Sequence, residues 1–246
     1  NLATQLAVAL QKKGMTPAYI YSRTRESAEQ LSERLRDVPY STDISRVPTD
    51  GDLYIFAVKD SALLDLVSRM PSNRGLWVHT AGSMDMEVFA PYTARYGVFY
   101  PMQTFSKERE TDFDDIPIFV ETNHTDDTER LQKLAGRLST KVYEATSEQR
   151  KYLHLAAVFA CNFSNHLYAL CDRILSEHGL PFETMLPLIR ETAAKVADMP
   201  PAQAQTGPAI RYDKNVIDKQ MALLSDPTMR QIYDLMSRSI HETNKH

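Results

Sequence analysis

Ala18-Tyr19-Ile20-Tyr21-Ser22-Arg23-Thr24 is a short run of β-branched and aromatic residues that ends in two hydroxyl side chains around an arginine. The run indicates a β-strand. An amphipathic helix precedes it, with apolar residues from Leu2 to Leu10 and stop signals at Gly14 and Pro17. A helix that leads into such a strand is typical of an alternating α/β fold.

The residues at the end of this strand predict a cofactor. In a dinucleotide-binding fold the end of the second strand contacts the adenosine ribose, where an acidic residue selects NAD and an arginine accommodates the 2′-phosphate of NADP. This sequence has Ser22, Arg23 and Thr24 there and no acidic residue. A guanidinium and two hydroxyls suit a phosphate dianion, so NADP is the predicted cofactor. The alternative is an ordinary surface helix and strand without a ligand.

The first three residues match the end of a phosphate-binding fingerprint. That fingerprint has the form G-x-G-x-x-G/A and follows a strand. Asn1, Leu2 and Ala3 fit its last three positions and are predicted to contact the cofactor. We therefore expect a strand and two glycines before them that this sequence does not contain. A folded but inactive fragment is the corresponding alternative.

Length and composition exclude several classes of protein for this chain. A chain of 246 residues favours two domains. A net charge of −4 without a basic stripe argues against nucleic acid as a partner. No apolar run reaches the roughly 20 residues that cross a bilayer, and no signal peptide is visible, so the predicted compartment is the cytoplasm. The histidines and cysteines have no metal-binding spacing, and no metal is predicted.

Strand and helix patterns alternate in the first half and then stop. The predicted strands lie at 53–58, 76–78, 97–100, 116–120 and 141–143. They predict a doubly wound, Rossmann-like α/β domain over residues 1–145, which we expect to bind NADP. Residues 146–246 contain helical patterns alone and predict an all-α domain.

Polar or small residues follow three of the predicted strands. Open α/β sheets bind ligands beyond the carboxyl ends of their strands. The residues predicted there to contact the cofactor are Ala57, Val58, Asp60, His79 and Thr80, and Gln103 is predicted to contact the substrate. Any one of these stretches alone is more typical of an ordinary polar loop at a strand end, and it is their position at the same edge that favours a ligand.

One helix of the second half carries polar residues on a mostly apolar surface. His154, Asn162 and Asn165 fall on one face at α-helical spacing. Asparagine is a poor helix former, so two of them indicate a ligand or a buried polar network. The alternative is a core histidine with asparagines that bond between helices. We predict His154 as the proton donor, with Asn162, Asn165 and Gln103 orienting the substrate.

Several of these stretches together resemble one family. They are Asn1–Ala3, Tyr21–Thr24, His79–Ser83, Tyr100–Phe105, His154–Asn162 and Gln205–Ala209. The family is a group of bacterial candidate NADP oxidoreductases with a Rossmann-like domain and an all-helical C-terminal domain. It is similar to the β-hydroxyacid dehydrogenases, pyrroline-carboxylate reductases and deazaflavin-dependent NADP reductases. The resemblance covers essentially the whole chain.

One departure from these relatives affects the predicted mechanism. β-Hydroxyacid dehydrogenases carry a catalytic lysine in a K-x-x-N-N pattern on the interdomain helix. The matching stretch here has His154 near the lysine position and Val158 near the asparagine position, and Lys151 lies on a different face. His154 is therefore the best candidate for the acid that the resemblance implies.

The combined prediction is hydride transfer between NADP(H) and a small carbonyl or imine substrate in an interdomain crevice. A non-catalytic NADP(H)-binding sensor or scaffold and a deazaflavin-dependent NADP reductase are the alternatives. Small residues in the helical half, among them Ala156, Ala157 and Ala160, predict a homodimer formed through that half.

Overall fold

The alternation of helices and strands is present in the computed structural model, which describes residues 1–106 and 109–244. The elements of the first part of the chain are listed here in order. They are α1 (Leu2–Lys12), β1 (Ile20–Tyr21), α2 (Arg25–Arg34), β2 (Tyr40–Ser41), β3 (Leu53–Phe56), α3 (Asp60–Ser68), β4 (Leu76–His79), β5 (Tyr96–Pro101), β6 (Ile118–Thr122), α4 (Thr125–Leu138), β7 (Val142–Glu144) and α5 (Ser147–Ala157).

The strands form two sheets. β1 and β2 pair in parallel, and the other five form a sheet in the order β3-β4-β5-β6-β7. β3, β4 and β5 are parallel, with Val78 of β4 opposite Ile55 on one side and Gly97 on the other. β6 runs antiparallel to β5, and β7 is parallel to β6. The Rossmann-like α/β fold predicted from the sequence is confirmed.

Helices cover both faces of the larger sheet. On one face, apolar residues of α1 and α4 pack against Val78, Phe99 and Ile118. On the other face, residues of α3 pack against Phe56 and Trp77. Every residue of β4 and β5 is buried as a result. These strands are continuous apolar runs because both of their faces are covered.

The elements that the structure describes after α5 are all helical, as predicted. A π-helical turn (Val158–Phe163) is followed by α6 (Ser164–Glu177), α7 (Leu186–Asp198), α8 (Pro201–Ala204), α9 (Lys214–Ala222) and α10 (Pro227–Thr243). None of the helices in the described ranges combines the length and apolar character that a membrane span needs.

Contacts divide the chain into two compact units. The first comprises Asn1–Cys161 and includes α5, and the second begins at Asn162. The domain boundary between residues 145 and 146 stays a prediction.

Candidate functional site

Polar loops follow β3 and β4 at one edge of the sheet, since parallel strands end on the same side. Asp60, in the first turn of α3, accepts a hydrogen bond from the Ser83 hydroxyl and joins the two loops. Thr80 is buried, and its N–H donates to the Phe56 carbonyl at 3.3 Å. Ala57 and Val58 follow Phe56 in the sequence, before Asp60, and both are half-buried. The predicted residues after these two strands are therefore brought together.

His79, the last residue of β4, is fully buried. Its Nδ1 accepts the Ala81 N–H at 3.2 Å, and Nε2 lies 3.3 Å from the Asp85 carbonyl oxygen. This pairing requires a neutral ring with its proton on Nε2. Burial, with the positive charge of Arg150, lowers the pKa of His79 to about 4. His79 thus shapes the loop after β4, and its predicted contact with a cofactor stays a prediction.

The buried ring makes stability depend on pH. The folded pKa of His79 lies near 4 and the unfolded pKa near 6.5, so the unfolded chain binds more protons between these values. The stabilisation is complete above pH 6.5 and is lost as the pH falls toward 4. We expect His79 to account for about 3 kcal/mol of the fall in the free energy of unfolding across this window.

Urea unfolding at several pH values tests this expectation. His79→Gln keeps a distal N–H donor but cannot titrate, so its pH dependence should be shallower than that of the wild type. His166→Gln, at an exposed position on α6, is the matched control and should keep the wild-type slope. Equal slopes in all three proteins would contradict a depressed pKa at His79.

Arg150 of α5 is a fully buried charge beneath the same loop. Its Nη1 donates to Glu121 of β6 at 2.7 Å, and its Nε donates to the Ala81 carbonyl at 3.2 Å. Nη2 donates to the Met84 carbonyl and to the Ser147 hydroxyl. Glu121 also accepts the N–H and hydroxyl of Ser147. The Arg150 guanidinium therefore links α5 to the sheet and to the loop after β4.

His154 lies one turn beyond Arg150 on α5, at the carboxyl ends of β4 and β5. Its Nδ1 is 3.2 Å from the hydroxyl of Tyr100, the penultimate residue of β5. On another side the ring contacts Gly82, where an added Cβ would lie 2.7 Å from Nδ1. Nε2 has no partner among residues 1–106 and 109–244. The structure thus places the predicted proton donor at the predicted edge, with one ring nitrogen available.

Ser22, Arg23 and Thr24 follow β1 and lead into α2, with Thr24 at its N-cap position. Arg23 is exposed, and its guanidinium has no hydrogen-bond or ion-pair partner in the described part of the chain. Unpaired N–H groups at the start of a helix favour an anion. The Glu26 carboxylate in the first turn of α2 disfavours an anion there, and Arg23 supplies a positive charge beside it. Together these groups fit a phosphate monoester.

The residues at the chain start also lie near a strand end. Asn1 is the N-cap residue of α1, and its side chain donates to the Phe105 carbonyl at 3.0 Å. Leu2 and Ala3 form the first turn, which has no acidic side chain. The start of α1 therefore lies beside the loop that follows β5.

The remaining predicted residues belong to different elements of the chain. Gln103 is exposed in the loop after β5, and its side-chain oxygen accepts the Thr104 N–H at 2.8 Å. Asn162 lies in the π-helical turn and Asn165 in α6, both exposed and both in the second unit. Their roles toward a substrate stay predictions. The searched residues hold no cluster of three or more metal-binding side chains.

Sequence reasoning missed Tyr100, Arg150 and Glu121. The spacing of Arg150 and His154, four residues apart, could have placed them on one helix face. No local signal pairs Arg150 with Glu121, which is 29 positions away. A charged residue in an amphipathic helix is ordinarily read as exposed to water.

Three solved structures show what the chain is similar to. A protein from Bacteroides fragilis described as a candidate NADP oxidoreductase has 52% identity over 98% of this chain and 95% of its own, with a TM-score of 0.90. A protein from Thermotoga maritima has 23% identity over 93% and 91%, with a TM-score of 0.78. A reductive aminase from Aspergillus terreus, in complex with NADPH, has 15% identity over 97% and 90%, with a TM-score of 0.74. The last two likenesses show the fold alone.

The family comparison covers half of the chain. No curated protein matches this chain. The model of a domain of unknown function, DUF2520, matches residues 116–240, which run from the end of the α/β unit through the helical unit. The chain therefore belongs to the DUF2520 family.

Proposed function

We propose that this protein is an NADP(H)-dependent oxidoreductase that transfers hydride to or from a small carbonyl or imine substrate. The observation that carries the proposal is the placement of His154 at the carboxyl edge of β4 and β5 with Nε2 unpaired among the described residues. The likeness to a candidate NADP oxidoreductase of 52% identity supports the same class of reaction.

The groups at the ends of β1 and α1 suit the cofactor. Arg23 and the start of α2 fit the 2′-phosphate, the group that distinguishes NADP from NAD. The first turn of α1, at Leu2 and Ala3, offers backbone N–H groups and no acidic side chain to the pyrophosphate. Asn1, whose side chain bonds the loop after β5, would fix this turn against the sheet edge.

The chemistry needs one proton besides the hydride. NADPH, when bound, supplies the hydride that adds to the carbonyl or imine carbon. The oxygen or nitrogen of that bond then takes a proton, and an imidazolium at His154 holds one on Nε2. The ring becomes neutral as the alcohol or amine forms, and the reverse reaction returns the proton. The amide of Gln103, exposed in the loop after β5, suits a hydrogen bond to the same substrate.

Arg23 gives the first test. We expect NADPH to bind at least about 10-fold more tightly than NADH, since a charge-assisted phosphate contact contributes about 1.5–3 kcal/mol. Arg23→Ala should erase most of this preference and leave the NADH affinity nearly unchanged. Arg34→Ala is the matched control, because Arg34 is exposed in the last turn of α2, at the other end of the helix from Arg23. Equal affinities for both cofactors in the wild type would contradict the proposal.

Oxidation of NADPH against a panel of small carbonyl and imine compounds tests the reaction itself. Turnover with at least one member is expected. Tight binding of NADPH without oxidation by any compound would favour a non-catalytic sensor. Oxidation by a deazaflavin alone would favour the deazaflavin-dependent reductase.

We further propose that the protein is a homodimer whose helical unit forms most of the interface. Large apolar side chains stand exposed on this unit, among them Leu188 at 61%, Leu223 at 81% and Leu235 at 62%. Its buried residues in the described range are Ile217, Met229 and Ser237. A set of helices with so little core of its own needs a partner surface.

Light scattering at micromolar concentration should give the mass of a dimer. The double variant Leu188→Glu/Leu235→Glu should have a mass shifted toward that of a monomer. Leu64→Glu is the matched control and should leave the dimer intact. Leu64 is 55% exposed and lies on α3 of the first unit. A monomeric mass for the wild type would overturn the proposal.

A further inference from the structure

Tyr100 is the side chain that meets the predicted proton donor from the sheet. It is 8% exposed, and its hydroxyl lies 3.2 Å from Nδ1 of His154. The two rings meet edge to face, with centroids 6.4 Å apart and planes at 68°. The hydroxyl has no other hydrogen-bond partner in the described ranges. Turning the ring away would leave this buried hydroxyl without a partner, at a cost in free energy, so the contact favours the observed orientation of His154.

Gly82 limits the ring from another side. An added Cβ at this position would lie 2.7 Å from Nδ1, 2.8 Å from Cγ and 3.0 Å from Cβ of His154. Contacts this short do not occur, so the ring occupies its position because residue 82 lacks a side chain. Arg150 holds the flanking carbonyls of Ala81 and Met84, which keeps the backbone of Gly82 in place. The ring is therefore confined between the Tyr100 hydroxyl and a fixed stretch of backbone.

We propose that Tyr100 is a positioning residue for His154: its hydroxyl binds Nδ1, and this leaves Nε2 as the nitrogen that serves the substrate. The inference rests on the proposed function of His154 and deepens it. The hydroxyl can pair with either form of the ring. It accepts from the Nδ1–H of the imidazolium and equally from the Nδ1–H of the neutral ring that remains once Nε2 has given up its proton. The ring therefore keeps one orientation while Nε2 gains or loses its proton.

Tyr100→Phe removes the hydroxyl and keeps the ring that packs near Phe119. We expect kcat to fall about 10-fold, the effect of one hydrogen bond of about 1.5 kcal/mol, with NADPH affinity unchanged. Tyr143→Phe is the matched control, because Tyr143 stacks on the same Phe119 with ring centroids 5.5 Å apart and is exposed. It should leave kcat at the wild-type value.

Two measurements separate positioning from a general structural effect. In the His154→Ala background, Tyr100→Phe should cause no further loss of kcat, because the hydroxyl acts through the ring. In NMR spectra of protein with isotope-labelled histidine, Tyr100→Phe should shift the Nδ1 resonance of His154 and Tyr143→Phe should not. Gly82→Ala, which forces the ring away from its place, should shift the same resonance.

The NMR result requires no turnover, so it distinguishes the two proposals. An unchanged Nδ1 resonance in Tyr100→Phe, or a full additional loss of kcat in the double variant, would overturn the role of Tyr100. A shifted resonance in a protein that neither binds nor oxidises NADPH would overturn the proposed function and leave the Tyr100–His154 contact established.

Discussion

Replacing His154 with alanine is expected to lower turnover by about 10²–10⁴-fold, the usual contribution of a general acid. NADPH affinity should barely change, because the groups proposed to bind its phosphates are Arg23 and the start of α1. The melting temperature should change little, since His154 is exposed and its removal opens the Tyr100 hydroxyl to water. Turnover, NADPH affinity and melting temperature measured on one preparation check all three expectations.

Lys151→Ala is the matched control for His154→Ala. Lys151 is also exposed on α5 and forms a surface ion pair of 3.7 Å with Asp85. Such pairs contribute little to stability, and its removal should leave turnover at the wild-type value. A His154→Ala protein that is less stable but fully active would assign the proton to water or another group. The proposed cofactor would be unaffected by that outcome.

The sequence was sufficient to predict the central strands and the edge at which they end. The runs at 53–58, 76–78 and 97–100 are apolar on both faces, and the structure has β3, β4 and β5 there. Helices on both sides of the sheet make such continuous runs necessary, so the pattern is informative. The loops that follow β3 and β4 then contact each other as expected, through Asp60 and Ser83.

Three features of the fold have no comparable signal. β2 consists of Tyr40–Ser41, and a strand of two residues is too short to show the alternation of apolar and polar residues that indicates a strand. The apolar run at 116–120 predicts a strand but not its direction, and β6 is antiparallel to β5. The π-helical turn Val158–Phe163 interrupts the α-helical period on which the shared face of His154, Asn162 and Asn165 was predicted.

The parts of the site that depend on distant contacts could not be predicted either. Tyr100 and His154 are 54 positions apart, and nothing in either segment specifies the other. The position of His79 after a strand predicts a place beside the cofactor, but it gives no sign that the ring is buried with both nitrogens next to backbone groups. A sequence shows which residues reach a strand end but not which way each one turns.

The buried ion pair of Arg150 and Glu121 gives the second large expected effect. Arg150→Met leaves the Glu121 carboxylate without its cation and the carbonyls of Ala81 and Met84 without donors. Breaking a buried pair by removing one partner costs about 3–5 kcal/mol, and we expect a loss of this size in the free energy of unfolding. Urea denaturation measures it.

Two further variants show whether burial of the charge is the cause. Arg130→Met removes an exposed arginine that lies 3.9 Å from Asp127, and it should cost no more than about 1 kcal/mol. Arg150→Met combined with Glu121→Gln leaves no unpaired charge, so it should recover part of the stability lost in Arg150→Met alone. If Arg150→Met were no more harmful than Arg130→Met, the hydrogen bonds of Arg150 would only offset the cost of burying it. Arg150 would then matter for the place of the loop beside His154 rather than for stability, and turnover would fall while the unfolding free energy stayed the same.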